Sequence, residues 1–131
     1  NFQLPSLYNN GFITEKDLKE NKFTLINFFA SWCAPCRAEH KYLLNLSNNN
    51  KNIKILGVNF KDKKKNVTAF FNELGDPYNF VVRDAEGKAS ILFGIYGIPE
   101  SILVNSELTI IKKIVGPIDK NQYEKILQLV Q

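Results

Sequence analysis

Apolar residues in this chain fall into a few dense runs and a few stripes of helical spacing, divided by polar punctuation. Phe23-Thr24-Leu25-Ile26-Asn27-Phe28-Phe29-Ala30 is β-branched and aromatic, and reads as a buried strand. Pro35 suits the first turn of a helix, where its missing N–H costs no hydrogen bond, so a helix starts at Cys33. In that helix Cys36, His40, Leu43 and Ser47 share one face and Lys41, Asn45 and Asn48 the other, until the polar run Asn48 to Asn52 ends it. Ile53 to Phe60 then reads as a second buried strand, closing a right-handed β-α-β unit. Val67, Phe70, Phe71 and Leu74 mark a second amphipathic helix, stopped by Gly75-Asp76-Pro77. Phe80 to Arg83 predicts a short strand, and Ser101 to Asn105 with Thr109 to Val115 an antiparallel hairpin turning at Ser106-Glu107. A last helix begins near Asp119, with Asp119 and Gln122 as a capping box and Tyr123, Ile126, Leu127 and Val130 as its buried stripe. At the N-terminus, Phe2 to Tyr8 reads as an edge strand or extended arm, and Thr14 to Glu20 as one or two helical turns.

Length and composition narrow the class. A chain of 131 residues with 44% hydrophobic content is the size of one domain and buries about two thirds of its unfolded surface. One domain over 1–131 is therefore expected, with 1–22 as an N-terminal extension and 23–131 as the core. The net charge of +4 owes much to Lys61, Lys63, Lys64 and Lys65, which surround a predicted helix start and read as a solvated face. No aromatic residues interleave with that run, so nucleic acid is not an expected partner. No segment approaches the roughly 18 consecutive apolar residues of a membrane span. The chain starts at Asn1 and holds no methionine, which leads us to expect a longer natural product with a signal peptide or anchor before Asn1.

The chemistry lies in Trp32-Cys33-Ala34-Pro35-Cys36-Arg37, which carries both cysteines of the chain. Cys33 falls at a helix N-terminus, where unpaired N–H groups and the helix dipole favour a thiolate, and Cys36 lies one turn further in, close enough to form a disulfide with it. The outer sulfur is expected to be the exposed nucleophile and the inner one the shielded resolving group. A purely structural disulfide is a poor rival, because so short a loop yields only roughly 2 kcal/mol and ties together what the helix already holds. A zinc site lacks ligands beyond His40, and haem attachment fails because Arg37 stands where the histidine of Cys-x-x-Cys-His belongs.

The element order β-α-β-α, then a hairpin and a helix, is thioredoxin-like. The expected fold is thus α/β, a central mixed sheet flanked by helices, with an N-terminal extension. That fold carries a cis-proline loop beside its Cys-x-x-Cys, at the place where this chain has Gly94-Ile95-Tyr96-Gly97-Ile98-Pro99-Glu100, so a cis Ile98-Pro99 bond is expected. Separate segments in the right order carry a closer resemblance: Phe2 to Pro5, Trp32 to His40, Gly57-Val58-Asn59-Phe60-Lys61-Asp62, Leu74-Gly75-Asp76-Pro77-Tyr78, and Gly94 to Glu100. Together they resemble the CcmG/DsbE family, thiol:disulfide oxidoreductases of cytochrome c maturation. Asn27, six residues before Cys33 where thioredoxins usually carry a buried aspartate, matches that family, while Phe60 stands where its tyrosine is usual and Asn105-Ser106-Glu107-Leu108 replaces an Asp/Gly-rich turn.

This resemblance implies a protein-disulfide reductase whose catalytic residues are Cys33, Cys36, Pro99 and Glu100, with Trp32, Ala34, Pro35 and Ile98 lining the substrate groove. It implies no metal and no organic cofactor beyond the Cys33–Cys36 pair. Its partners would be apocytochrome c, through a Cys-x-x-Cys-His disulfide, or cytochrome c maturation proteins, with a membrane thiol-disulfide carrier as electron donor. The expected state is a monomer on the periplasmic side, held to the inner membrane by a segment preceding Asn1. Two rivals remain: a broad-range exported reductase, and a polypeptide-binding module with a structural disulfide. Glu100 resembles the family's acidic residue near the dithiol. Glu39 reads first as a surface carboxylate and His40 as a structural histidine, although Glu39, His40 and Glu100 all stay open as handlers of the Cys36 proton.

Overall fold

The computed structural model describes residues 2–131. Its first elements are β1 (Gln3–Pro5) and β2 (Phe12–Thr14), paired antiparallel, and the short helix α1 (Glu15–Lys19). The N-terminal arm is thus half of a small hairpin. It is tied to the main sheet by a bridge from Ser6 to Val82 and by the Leu7 N–H, which donates to the Val81 carbonyl at 2.8 Å.

The main sheet holds β3 (Phe23–Phe29), β4 (Ile53–Phe60), β5 (Phe80–Asp84), β6 (Glu100–Asn105) and β7 (Ile110–Val115), in the order β5-β4-β3-β6-β7. β3, β4 and β5 run parallel, whereas β6 and β7 are antiparallel additions on the other side. The connecting helices are α2 (Ala34–Asn49), α3 (Lys64–Leu74), α4 (Lys88–Leu92) and α5 (Lys120–Leu129). The predicted elements are present within a few residues of their expected bounds; β2, three residues long, and α4, five residues without a helical stripe, are elements that periodicity does not reveal.

Strand alternation sorts the core into two layers. Leu25, Phe29, Ile55, Val81 and Leu103 face the layer containing Leu43, Val67, Phe70, Ile126 and both cysteines. Ile26, Phe28, Leu56, Val82, Ile102 and Val104 face the opposite layer, covered by Leu18, Ile95 and the N-terminal hairpin. Asn27 lies between Ile26 and Phe28, so the same alternation turns it toward the dithiol layer, with Ser101 beside it across the β3–β6 ladder. Two apolar clefts on the far layer, of about 370 and 290 Å³, are lined by residues such as Phe2, Leu92 and Phe93, and hold no titratable side chain.

Local chemistry sets the ends. Gly75 caps α3 with φ 93°, a left-handed value that the Gly-Asp-Pro stop supplies without strain. At α5 only half of the expected capping box forms: Asp119 accepts from the Gln122 N–H at 2.8 Å, and Gln122 Oε1 is left buried and unpartnered. The β6–β7 turn manages without glycine because Asn105 Oδ1 accepts from the Glu107 and Thr109 N–H groups while Leu108 takes φ 63°.

Candidate functional site

Cys33 and Cys36 form a disulfide at the start of α2, with Cα atoms 5.3 Å apart. Cys33 is the N-cap with extended backbone, and the Cys36 N–H donates to Cys33 Sγ at 3.2 Å, so the helix N-terminus directs a donor at the outer sulfur. Cys33 is not the exposed sulfur expected: the residue is 5% exposed and Cys36 2%. The reason is the facing loop, whose Ile98 carbonyl oxygen lies 4.0 Å from Cys33 Sγ. What separates the two cysteines is the amide aimed at Cys33, not solvent access.

The Ile98–Pro99 bond is cis, and the Pro99 carbonyl accepts from the Gly116 N–H at 3.0 Å, which anchors the loop to the end of β7. Of the four residues expected to line the groove, Ile98 borders both clefts that flank the loop, one of about 220 Å³ and one of about 490 Å³. Trp32, Ala34 and Pro35 are exposed on the helix side of the disulfide and line neither cleft. Trp32 is 60% exposed with its indole N–H donating to the Lys61 carbonyl at 3.1 Å.

A polar cluster lies beneath the dithiol. The Tyr78 hydroxyl donates to Asn27 Oδ1 at 2.7 Å, and Asn27 Nδ2 donates to Glu39 Oε2 at 2.9 Å and Ser101 Oγ at 3.0 Å. The Ile118 N–H donates to Glu39 Oε1 at 3.0 Å. Gly57 makes room for this arrangement: a Cβ there would stand 2.8 Å from the Tyr78 ring and 2.9 Å from the Phe29 ring. Glu39 is therefore not a surface carboxylate but 1% exposed. Burial pushes its carboxyl from an ordinary 4.5 up to about 7, against the pull of the Ile118 and Asn27 donors. Burial first, and then the neighbouring Glu39 and Asp76 charges, keep the Tyr78 hydroxyl protonated well above its usual range.

Glu100 is also buried, but its setting differs. Its Oε1 lies 3.6 Å from the Lys113 ammonium, and its Oε2 accepts long bonds of 3.4 Å from the Tyr96 and Gly97 N–H groups. The carboxylate thus braces the loop leading into the cis bond. His40 is 2% exposed; its ring packs on Phe70 and Tyr78, and its Nε2 lies 2.7 Å from the Gly75 carbonyl oxygen. The burial lowers its pKa, which suits the structural role expected of it.

Asp62 went unassigned in the sequence beyond its place in a family segment, yet it fixes the active-site turn. It accepts from the Ser31 N–H at 2.6 Å, the Ser31 hydroxyl at 2.8 Å, Asn59 Nδ2 at 3.0 Å and the Lys63 N–H at 2.9 Å. Arg37 continues the brace, with a 2.7 Å ion pair to Glu73 and its guanidinium over the Phe70 ring. Among the described residues no cluster of His, Cys, Asp and Glu has the form of a metal site.

Residues 1–127 match the Redoxin family. The chain is 47% identical over 105 residues to the thiol:disulfide interchange protein CycY of Rhizobium leguminosarum bv. viciae, covering 80% of this chain and 55% of that protein. It is 35% identical over 127 residues to the thiol:disulfide interchange protein DsbE of Allochromatium vinosum, covering 97% of this chain and 70% of that protein. The chain belongs to the CcmG/DsbE branch of the redoxins. Its fold is thioredoxin-like: a thioredoxin-like protein from Aeropyrum pernix superposes with a TM-score of 0.84 at 17% identity, over 98% of this chain and 89% of that one. The chain spans little more than half of the CycY protein.

Proposed function

We propose that this chain is a thiol:disulfide oxidoreductase that reduces the haem-binding Cys-x-x-Cys-His disulfide of apocytochrome c, or the disulfide of a maturation partner. The observation that carries the reading is a Cys33–Cys36 disulfide at a helix N-terminus, facing a cis Ile98–Pro99 bond, in a member of a family whose relatives are named interchange proteins. The segments Arg37 to His40, Asn59 to Asp62 and Gly97 to Glu100, which resemble the cytochrome-maturation family, favour that client class.

In the reduced protein the Cys36 N–H and the dipole of α2 hold the Cys33 sulfur as thiolate. The thiolate attacks one sulfur of the client disulfide; a mixed disulfide forms and the client's other sulfur leaves as a thiolate. Cys36 then loses its proton, attacks Cys33, and releases the second client thiol. The client gains two electrons and two protons, and the protein ends as the Cys33–Cys36 disulfide. Glu39 lies one turn along α2 from Cys36 on the same buried face, and with its pKa near 7 it accepts the Cys36 proton at neutral pH. Glu100 and Pro99 shape the loop that receives the client backbone at Ile98. A membrane thiol-disulfide carrier restores the dithiol, and a segment before Asn1 holds the domain at the periplasmic face of the inner membrane. Among the described residues no helix is long and apolar enough to cross a membrane.

The test is a Cys36→Ser variant, which cannot resolve the mixed disulfide. Expressed in cells as the full-length exported protein, it should hold an apocytochrome c or a maturation protein on Cys33. A catch of unrelated secreted proteins would favour a broad-range reductase, and no disulfide-linked partner a binding module.

A further inference from the structure

Lys61 has a left-handed backbone, φ 46°, without the short polar side chain that eases this conformation for asparagine or aspartate. Its N–H donates to the Asp84 carbonyl at 3.0 Å, and its own carbonyl accepts from the Trp32 indole at 3.1 Å. The residue is thereby clamped to the turn that presents Cys33. Strain held by its surroundings in this way gathers at ligand-binding positions. The Lys61 stem crosses Gly87, where a Cβ would come within 2.8 Å of Lys61 Cε and of the Phe60 ring. The ammonium sits 5.2 Å from the centre of the Phe60 ring.

The nearby carboxylates are committed elsewhere. Asp62 holds Ser31, Asn59 and the Lys63 N–H, and Asp84 holds the Ala89 N–H and both donors of Ser90. Glu86 pairs with Lys88 and Glu100 with Lys113. Among the described residues, Lys61 has no carboxylate partner. This unneutralised cation borders a cleft of about 220 Å³ whose other walls include Ile91, Ile95, Tyr96 and Ile98. Ile98 is also the residue whose carbonyl stands beside Cys33 Sγ. Ile98 therefore stands both beside the disulfide and in the wall of this cleft.

We propose that the cleft is a recognition subsite for an acidic substrate polypeptide: an apolar side chain flanking the reactive cysteine fills it, and a neighbouring Asp or Glu carboxylate meets the Lys61 ammonium. The inference rests on the oxidoreductase reading and adds a substrate preference to it. Charge complementarity selects a carboxylate, and the apolar walls select the side chain beside it.

The experiment uses the reduced protein and peptide mixed disulfides that keep one apolar residue next to the cysteine. One Glu is moved through three positions on either side, each peptide being matched with its Gln counterpart. At one position at least, kcat/KM for the Glu peptide should exceed that for the Gln peptide by about 1.5- to 5-fold at low ionic strength, the range of an exposed ion pair. The preference should fade as salt is added. It should vanish in Lys61→Gln and in Lys61→Asn, which accepts the left-handed backbone, and persist in Lys61→Arg and in Lys65→Gln, an exposed lysine outside the cleft. Exchanging the apolar residue for Ser should lower kcat/KM for both peptides of a pair. An equal Glu preference in wild type and Lys61→Gln, or no preference at any position while the Gln peptides are reduced, overturns the subsite and leaves the oxidoreductase reading standing. Failure of wild type to reduce any peptide overturns both.

Discussion

Glu39, one turn along α2 from Cys36, and Glu100, next to the cis Pro99, are carboxylates of similar burial, yet they are solvated by different means. Among the described residues, Glu39, on α2, is met only by neutral donors, the Ile118 N–H and Asn27 Nδ2. Glu100, on β6, faces the Lys113 ammonium at 3.6 Å, on a side chain that is 42% exposed. Two neutral hydrogen bonds do not replace the water that a carboxylate loses, so Glu39 takes up a proton near neutral pH. Glu39 is thereby fit to exchange a proton near neutral pH, although the sequence points more strongly to Glu100 because it follows Pro99.

The largest effect expected from this contrast is on stability. Glu39→Ala leaves the Ile118 N–H and one of the two Asn27 Nδ2 hydrogens without an acceptor, the other still meeting Ser101 Oγ, and should cost the oxidised protein about 2–5 kcal/mol in urea unfolding. Glu100→Ala frees a lysine that can return to water, and should cost about 1 kcal/mol. Equal losses would erase the distinction. Next in size is a pH effect. The Glu39 pKa is about 7 when folded and 4.5 when unfolded, so the native state binds the extra proton between these values. The stability of the oxidised protein should accordingly fall by about 3 kcal/mol from pH 4.5 to 7 through this group, and the fall should be absent in Glu39→Gln.

A smaller change probes the support beneath Glu39. Gly57→Ala should push the Tyr78 ring away from Asn27 at a cost of about 1–3 kcal/mol. Tyr78→Phe should cost about 1 kcal/mol and raise the Glu39 pKa further, because the Asn27 amide is then no longer held with Nδ2 toward the carboxylate. The smallest effect is at the thiols. Glu100→Gln should lower the titration midpoint of the affected cysteine by less than about one unit, as read by alkylation of the reduced protein against pH, and Lys113→Gln should raise it.

The fold was legible because its strands and long helices carry unambiguous periodicity, as in Phe23 to Phe29 and Val67 to Leu74. The dithiol was legible from Cys33, Pro35 and Cys36, and the cis bond from the thioredoxin-like element order, which places a cis-proline loop at Gly94 to Glu100. Glu39 was not, because α2 reads as polar there and its burial depends on α5 and the loop before it, which supply Ile118 and close over that face. Strand alternation had already turned Asn27 toward the dithiol, and that was the available signal. The Lys61 geometry was hidden for a similar reason: left-handed backbone at a lysine follows from the clamps at Asp84 and Trp32, which are far apart in the chain. Cys33 was expected in solvent because local sequence shows its helix and not the opposing Ile98.

The central claim is that the carboxyl beneath the dithiol, without a countercharge, exchanges its proton near neutral pH. A titration of the ¹³C-labelled Glu39 side-chain carboxyl by NMR in the oxidised protein tests it most directly. The account predicts a midpoint of about 7, and a midpoint near the ordinary 4.5 would contradict it.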